Sequence, residues 1–231
     1  MKIVVFGANG PTGRLLTAQA LAAGHHVTAV TRRPAEFPLT HAGLTIVEAD
    51  VFDPDAVDAA ISGSDSVLST LGVPFGRQPI TAYSAGTRHI ASAMARHGLS
   101  RLVVVGSSAV DAEDSPEAGF FFNKVLQPFI TRVIGKTAYD DMRRMESLVR
   151  ATDLNWTIMR ASGLFDTSKV TDYSVTENWT GGRFTARADL AAAMLQQLTD
   201  DRFLRTTAAV STTSVTPGIL QLIWREGIRK R

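Results

Sequence analysis

The chain opens on a short apolar run, Ile3 to Phe6, which meets Gly7-x-x-Gly10-x-x-Gly13 and then a helix-forming segment, Arg14 to Ala23. No other feature restricts the fold as much. Strand, glycine turn and helix in that order make the first half of a βαβ unit, and the glycine spacing says what the turn accommodates. Gly7 permits the tight turn off the strand, Gly10 lets the backbone come close to phosphates, and Gly13 lets the helix pack closely on the sheet. The helix N-terminus adds free N–H groups and the positive end of its dipole. Together these features point to a pyrophosphate cradle for a dinucleotide at Gly7, Gly10 and Gly13. The competing reading is a glycine-rich turn with no ligand, which three spaced glycines alone would serve equally well.

Beyond this unit, strand and helix patterns alternate. His26 to Thr31 reads as a second strand, entered through Gly24 as a helix C-cap, and Leu44 to Glu48 as a third. Asp53-Pro54-Asp55 starts a helix, with Asp53 as N-cap and Pro54 at the first position. Ser66 to Thr70 is a fourth strand and Ile80 to His97 a long helix. Arg101 to Val105 is a near-continuous apolar strand of the kind covered on both faces. Met142 to Ala151 is helical, Trp156 to Met159 a sixth strand, Arg187 to Leu198 a helix and Ala208 to Ser211 a last strand. Strands separated by helices imply parallel units with right-handed crossovers. The expected fold class is therefore α/β, a Rossmann-like doubly wound parallel sheet. Without repeat, low-complexity tract or linker, residues 1–231 read as a single domain. Residues from about 161 to 231 are expected to form a small C-terminal elaboration on the substrate side and a terminal helix.

Two stretches break the alternation: the greasy run from Phe120 through Phe122 and Phe129 to Ile134, interrupted by Pro128, and Gly163 to Arg187. Ligands of open α/β sheets bind beyond the carboxyl ends of the strands. Both stretches follow such ends, which makes them expected walls of a substrate pocket, with Leu164, Phe165, Tyr173 and Trp179 as further candidate lining. Simple helix packing is the alternative for the Phe run.

Composition narrows the function classes. With 45% apolar and 20% charged residues the chain is an ordinary globular sequence, and no apolar run approaches the roughly 18 residues of a membrane span. The absence of cysteine excludes disulfides, thiolate metal sites and thiol catalysis. The start reads as a core strand with a single lysine, not as a secretory signal, so a cytoplasmic location is expected. A net charge of +2 gives no case for nucleic acid. Much of the basic excess lies in Arg225, Arg229, Lys230 and Arg231, within a tail from Thr216 that reads as a short amphipathic helix docking on its own domain or on a second subunit. Monomer or homodimer is the expected state. His25, His26, His41, His89 and His97 show no ligand spacing with acids, and no metal site is expected.

Where an NAD-type fingerprint places an acid for the ribose 2′-hydroxyl, this chain has Thr31-Arg32-Arg33-Pro34. Two guanidinium groups suit a 2′-phosphate, so NADP(H) is expected in preference to NAD(H); the alternative is a solvated loop. Asp50 and Val51, just after the third strand, suit the adenine amino group and ring, while Asp50 serves equally as a local cap.

Gly7-Ala8-Asn9-Gly10-Pro11-Thr12-Gly13-Arg14 resembles the Gly-Ala-Thr-Gly-x-Thr-Gly opening of atypical short-chain dehydrogenases. More narrowly, the chain looks like the NAD(P)H-binding group that includes biliverdin-IXβ and flavin reductases and the NmrA-like proteins. Gly24 to Arg32, Ala49-Asp50-Val51, Ser84 to Ile90, Val103 to Ala109, Leu154 to Arg160 and Arg187 to Ala191 continue the likeness, to about Ser211. The resemblance implies a nucleotide cradle at Gly7, Asn9, Gly10, Pro11, Thr12 and Gly13, with Thr70, Leu71 and Gly72 passing along the cofactor's ribose and phosphates. It also implies that Ser107 and Ser108 fall where related enzymes keep a serine beside the nicotinamide.

In short-chain dehydrogenases the proton donor is typically a Tyr with a Lys four residues later. Here Tyr139 is followed by Arg143, which carries charge but cannot relay a proton. Lys136, one turn earlier, is the candidate source of charge at i, i+3 spacing. Ser108 is the preferred hydrogen bonder to the substrate, unless the serines merely cap their loop. A weak acid favours acceptors whose reduced form delocalises charge. The expected function is thus NADP(H)-dependent reduction, by hydride transfer, of a small conjugated or carbonyl substrate of flavin, quinone or tetrapyrrole type. The competing class is an NmrA-like redox sensor that binds dinucleotide without catalysis. Sugar-nucleotide epimerisation ranks last, since it wants an intact Tyr–Lys pair.

Overall fold

A computed structural model describes residues 1–74, 76, 78–110, 135–178 and 182–217. Alternate side chains of β1 (Lys2–Phe6) enter two different hydrophobic layers, Ile3 and Val5 on one face and Val4 and Phe6 on the other. β5 (Arg101–Ser107) does the same with Val103 on one side and Leu102 and Val104 on the other. A strand that buries both faces has no polar side to show, which is why these runs are almost uniformly apolar.

The remaining strands are β2 (His26–Thr31), β3 (Leu44–Glu48), β4 (Ser66–Ser69), β6 (Asn155–Ala161), β7 (Gly163–Phe165), β8 (Tyr173–Glu177), β9 (Phe184–Ala186) and β10 (Thr206–Thr212). Eight of them form one sheet in the order β3-β2-β1-β4-β5-β6-β10-β8, parallel throughout except for β8, which runs antiparallel to β10. This is the doubly wound α/β architecture expected. The order reverses between β1 and β4, and that crevice is where such sheets bind ligands.

Helices cover both faces. On one, α1 (Pro11–Ala22) and α5 (Arg187–Gln196) bury Leu16, Ala20, Leu190, Ala191 and Met194. On the other, α2 (Pro54–Ile61), α3 (Ala82–Arg96) and α4 (Lys136–Arg150) bury Val57, Ile61, Ile90, Met94, Met145 and Val149. Gly24 adopts φ +81° after α1, where its N–H donates to the Leu21 carbonyl and that of His25 to the Ala20 carbonyl. That pairing is the Schellman ending that favours glycine.

Several boundaries differ from expectation. α1 begins at Pro11 rather than Arg14, because Gly10 takes an extended N-cap conformation and proline is preset for the first helical position. α4 begins at Lys136, six residues before Met142, and thus carries Tyr139. β7, β8 and β9 lie within Gly163 to Arg187, where no strand is expected. β7 and β9 have only three residues each and pair with one another, while β8 is a half-buried edge strand with no clean alternation. The Phe120–Phe122 run, Pro128, Phe129, Trp179 and the tail from Gly218 lie outside the described residues. No helix among the described residues is long and apolar enough to cross a membrane.

Asp53 caps α2 as expected, its carboxylate accepting from the N–H groups of Asp55 and Ala56 at 3.0 and 3.1 Å. Replacing it with alanine is expected to cost about 1 kcal/mol. For a domain of this size that lowers the melting midpoint by about 2–4 °C, measurable by thermal circular dichroism.

Candidate functional site

Three glycines shape the first turn by what they leave out. Gly7 has φ +73°, and a Cβ there would stand 2.7 Å from the Thr70 carbonyl oxygen. At Gly13 a Cβ would stand 2.2 Å from the Gly7 carbonyl oxygen and 2.8 Å from the Ala8 Cα, so only a bare backbone lets α1 approach β1 so closely. At Gly10 the constraint is milder, 3.2 Å from the Gly7 carbonyl.

α1 has no side-chain cap, and the N–H groups of Thr12 and Gly13 have no hydrogen-bond partner among the described residues. Pro11 contributes no N–H. Asn9 faces Arg14, which donates to its side-chain oxygen from Nε and Nη2 at 2.9 and 2.7 Å. Thr70 binds the turn from β4: its N–H donates to the Phe6 carbonyl at 2.9 Å, and its hydroxyl reaches the carbonyls of Phe6 and Gly7 at 3.1 and 3.2 Å. A bare, tight turn ending in unpartnered amides fits an anionic pyrophosphate. The fit to a dinucleotide is therefore a property of the backbone itself.

The other cofactor candidates line up on the same edge of the sheet. Val51 and Leu71 meet over Gly86 of α3, where a Cβ would lie 3.1 and 3.0 Å from them, and His89 Nδ1 lies 2.8 Å from the Val51 carbonyl oxygen. The Asp50 carboxylate accepts from the Phe52 N–H at 3.0 Å, so one of its oxygens serves the local turn. Gly72 is exposed. Its neighbour Val73 donates its N–H to Tyr83 Oη at 3.3 Å, and burial pushes that phenol above the usual tyrosine range. Tyr83, which carries no sequence motif, thus pins the loop that follows β4.

Arg32 and Arg33 have different surroundings. Arg33 pairs with Glu36 at 3.1 Å. Arg32 is exposed and makes no hydrogen bond or ion pair among the described residues.

On the substrate side, Ser107 is the last residue of β5 and its Oγ accepts from the Ala109 N–H at 3.2 Å. Ser108 donates its N–H to the Ala161 carbonyl at 3.0 Å, and its Oγ lies 3.4 Å from that of Ser162, which follows β6. Tyr139 is buried in α4. Lys136 is exposed and turns to Asp140, 2.6 Å away, instead of to Tyr139. Arg143, in the place of the family lysine, reaches the Val110 carbonyl at 3.0 Å and Asp140 at 2.8 Å. The Lys136 hydrogen bond holds the Asp140 carboxyl below the ordinary aspartate range.

In the sequence Asp140-Asp141 reads as part of a solvated helix face, and Asp141 departs from that reading. It is fully buried and accepts from the N–H groups of Tyr83 and Ser84 at 2.9 and 3.2 Å, from the Ser84 hydroxyl, and from Arg144. A carboxylate on α4 therefore caps the N-terminus of α3, which has no cap of its own. Tyr173 also departs from its expected place. It lines a groove of about 370 Å³ beside α1 and α5, with Gln19, Ala23 and His25. Phe165 is buried edge-on against Phe184, with ring centroids 6.5 Å apart, and Leu164 beside it is exposed. Among the described residues no group of three or more His, Asp or Glu could hold a metal ion.

The chain belongs to the NAD(P)H-binding family, whose profile matches residues 7–201. YwnB of Bacillus subtilis, an uncharacterized protein, is 28% identical over 214 residues, which cover 86% of this chain and 92% of that one. Uncharacterized proteins of Mycobacterium tuberculosis and Mycobacterium bovis are 36% identical over 108 residues, 46% of this chain, and the match spans only 12% of their length. Two solved structures share the fold. A short-chain dehydrogenase/reductase of Veillonella parvula in complex with NADP has a TM-score of 0.77 at 21% identity, covering 92% of this chain and 95% of its own. ChuY of Escherichia coli, an anaerobilin reductase, has a TM-score of 0.70 at 21% identity, covering 94% of this chain and 100% of its own.

Proposed function

We propose that this protein uses NADPH to reduce a small conjugated or carbonyl acceptor. The observation that carries the reading is the continuous edge from the glycine turn to Ser108: a backbone cradle for the pyrophosphate at one end, a pair of serines at the other. When bound, the dinucleotide supplies a hydride. The reduction would balance with that hydride, which carries the electron pair, and one proton from water.

The chain's own residues bind and orient. The amides of Thr12 and Gly13 and the positive end of α1 receive the pyrophosphate. Thr70, Leu71 and Gly72 border the ribose and phosphates, and Asp50 and Val51 the adenine. Ser107 and Ser108 face the reacting end, where Ser108 donates a hydrogen bond to the acceptor. Arg143 stands where the family has its lysine and cannot relay a proton, which favours acceptors that delocalise charge, such as flavins, quinones and linear tetrapyrroles. A neighbour of the same fold that is an anaerobilin reductase agrees with a conjugated acceptor.

The test follows NADPH absorbance with flavin, quinone and biliverdin panels. Turnover of at least one class is expected. Tight NADPH binding without turnover of any of them would refute the reductase and leave the non-catalytic sensor, the reading that Arg143 in place of the family lysine also favours.

Arg32 is assigned the 2′-phosphate, because Arg33 already has Glu36. Arg32→Ala is expected to weaken NADPH by about 10–100-fold, the worth of one charge-assisted contact, while leaving NADH nearly unchanged. Arg33→Ala is expected to shift either cofactor by less than about threefold. Fluorescence titration with both cofactors decides it: equal losses in the two arginine variants would remove the distinction.

A further inference from the structure

Ser162 was invisible in the sequence because nothing in its spacing ties it to Ser108, 54 positions earlier. The parallel pairing of β5 with β6 sets Ser107 against Ala161, so the two residues that follow, Ser108 and Ser162, emerge side by side. The Ser162 backbone is firmly held. Its N–H donates to Thr185 Oγ1 at 3.0 Å, and the buried Thr185 hydroxyl donates its own proton to the Val210 carbonyl at 2.6 Å. Among the described residues the Ser162 hydroxyl meets the Gly182 carbonyl at 2.9 Å and Ser108 Oγ at 3.4 Å.

A serine hydroxyl carries one proton and two lone pairs. The shorter contact, to Gly182, takes the Ser162 proton. Ser162 Oγ then presents lone pairs to Ser108, and the 3.4 Å separation is longer than a settled hydroxyl–hydroxyl bond. The Ser108 proton is thus held loosely and lies next to the open end of the sheet. If the Ser162 proton turns instead to Ser108, the Ser108 hydroxyl becomes the better donor, since linked hydrogen bonds strengthen one another. The second arrangement sets which way the Ser108 hydroxyl points, and the first leaves it free to turn to a bound acceptor.

We propose that Ser162 is a positioning residue that aims the Ser108 hydroxyl at the polar atom of the bound acceptor. The substrate class this implies has a hydrogen-bond acceptor, a carbonyl oxygen or an imine-type ring nitrogen, at the atom where negative charge collects on reduction. The inference rests on the reductase reading and deepens it. It also explains what the β7–β9 pair contributes. β7 begins one residue after Ser162, and Gly182 lies just before β9, so this small sheet sets the hydroxyl pair.

The test compares the full-length wild type with Ser162→Ala, Ser162→Thr, Ser108→Ala and the Ser108→Ala/Ser162→Ala double variant, using NADPH with FMN and with menadione. Ser162→Ala is expected to lower kcat/KM about tenfold, carried by kcat, as for an interaction that matters in the transition state. NADPH affinity, read by fluorescence titration, stays within about twofold. Ser162→Thr, which keeps a hydroxyl, recovers most of the loss. The double variant loses no more than Ser108→Ala alone, since the two residues act as one.

Three results would overturn the inference while leaving the reductase intact: an unchanged kcat/KM in Ser162→Ala, losses that multiply in the double variant, or a parallel fall in NADPH affinity and melting midpoint showing a merely structural role. A wild type that binds NADPH but turns over neither these nor any other acceptor overturns the reductase reading and this inference together.

Discussion

Gly13→Val is expected to abolish useful NADPH binding, weakening it by more than about 100-fold, which corresponds to roughly 2.7 kcal/mol. The reason is the material that a side chain would meet. A Cβ at Gly13 falls 2.2 Å from the Gly7 carbonyl oxygen and 2.8 Å from the Ala8 Cα, and both are backbone. No rotamer change relieves such contacts; either α1 moves off the sheet or the Gly7 turn opens. Each movement separates the Thr12 and Gly13 amides from the turn that completes the cradle. Fluorescence titration gives the affinity, and a thermal melt shows how much of the loss is folding. Gly24→Ala is the control, because Gly24 has a positive φ, which Gly13 does not, but a Cβ there meets nothing within 4 Å. It should cost about 1 kcal/mol of stability and leave the affinity alone. A Gly13→Val protein binding NADPH within about threefold of wild type would show that close helix packing is not what builds the site.

The second large effect concerns stability. Glu146 on α4 is buried and meets Arg160 of β6 through two contacts, 3.0 and 2.6 Å, with Arg150 adding a third at 2.9 Å. Gly106 of β5 makes room for this group: a Cβ there would lie 2.9 Å from Glu146 Oε1, which accounts for a glycine directly after the apolar run Leu102 to Val105. Removing one partner of a buried pair leaves the other charged in a dry place, at about 3–5 kcal/mol. Glu146→Ala is thus expected to lower the melting midpoint by roughly 6–20 °C. The companion variant Glu146→Leu/Arg160→Met should recover much of the loss, since an apolar pair of similar volume has no charge to strand. A single variant melting within about 2 °C of wild type would mean that water reaches Arg160 and the pair is not dry.

Much of this was readable from the chain because the physics was local. β2 and β3 fell on their expected residues, where apolar side chains and flanking turns mark both ends. The Asp53 cap was legible because its donors lie two and three residues away. What stayed hidden depends on residues brought together from afar. Lys136-Thr-Ala-Tyr-Asp-Asp141 precedes the helix expected from Met142, yet it is the first turn and a half of α4, and its Asp141 is buried by a helix 58 positions earlier. Arg32 and Arg33 look equivalent until the short turn at Pro34–Glu36 delivers Glu36 to only one of them. Tyr83 and Ser162 carry no motif at all; their partners come from the sheet order.

The cap supplied by Asp141 also bears on how the molecule comes apart. The N-terminal N–H groups of α3 find their acceptor only after the chain has passed through β5 and entered α4. A fragment ending before α4 would leave the amides of Tyr83 and Ser84 unpaired under a hydrophobic layer. α3 and α4, which both belong to the half built on β4, β5 and β6, are accordingly not independent elements but one cooperative unit: neither can open by itself without exposing the seam between them, and the same turn of α3 holds Val73, in the loop after β4, through Tyr83.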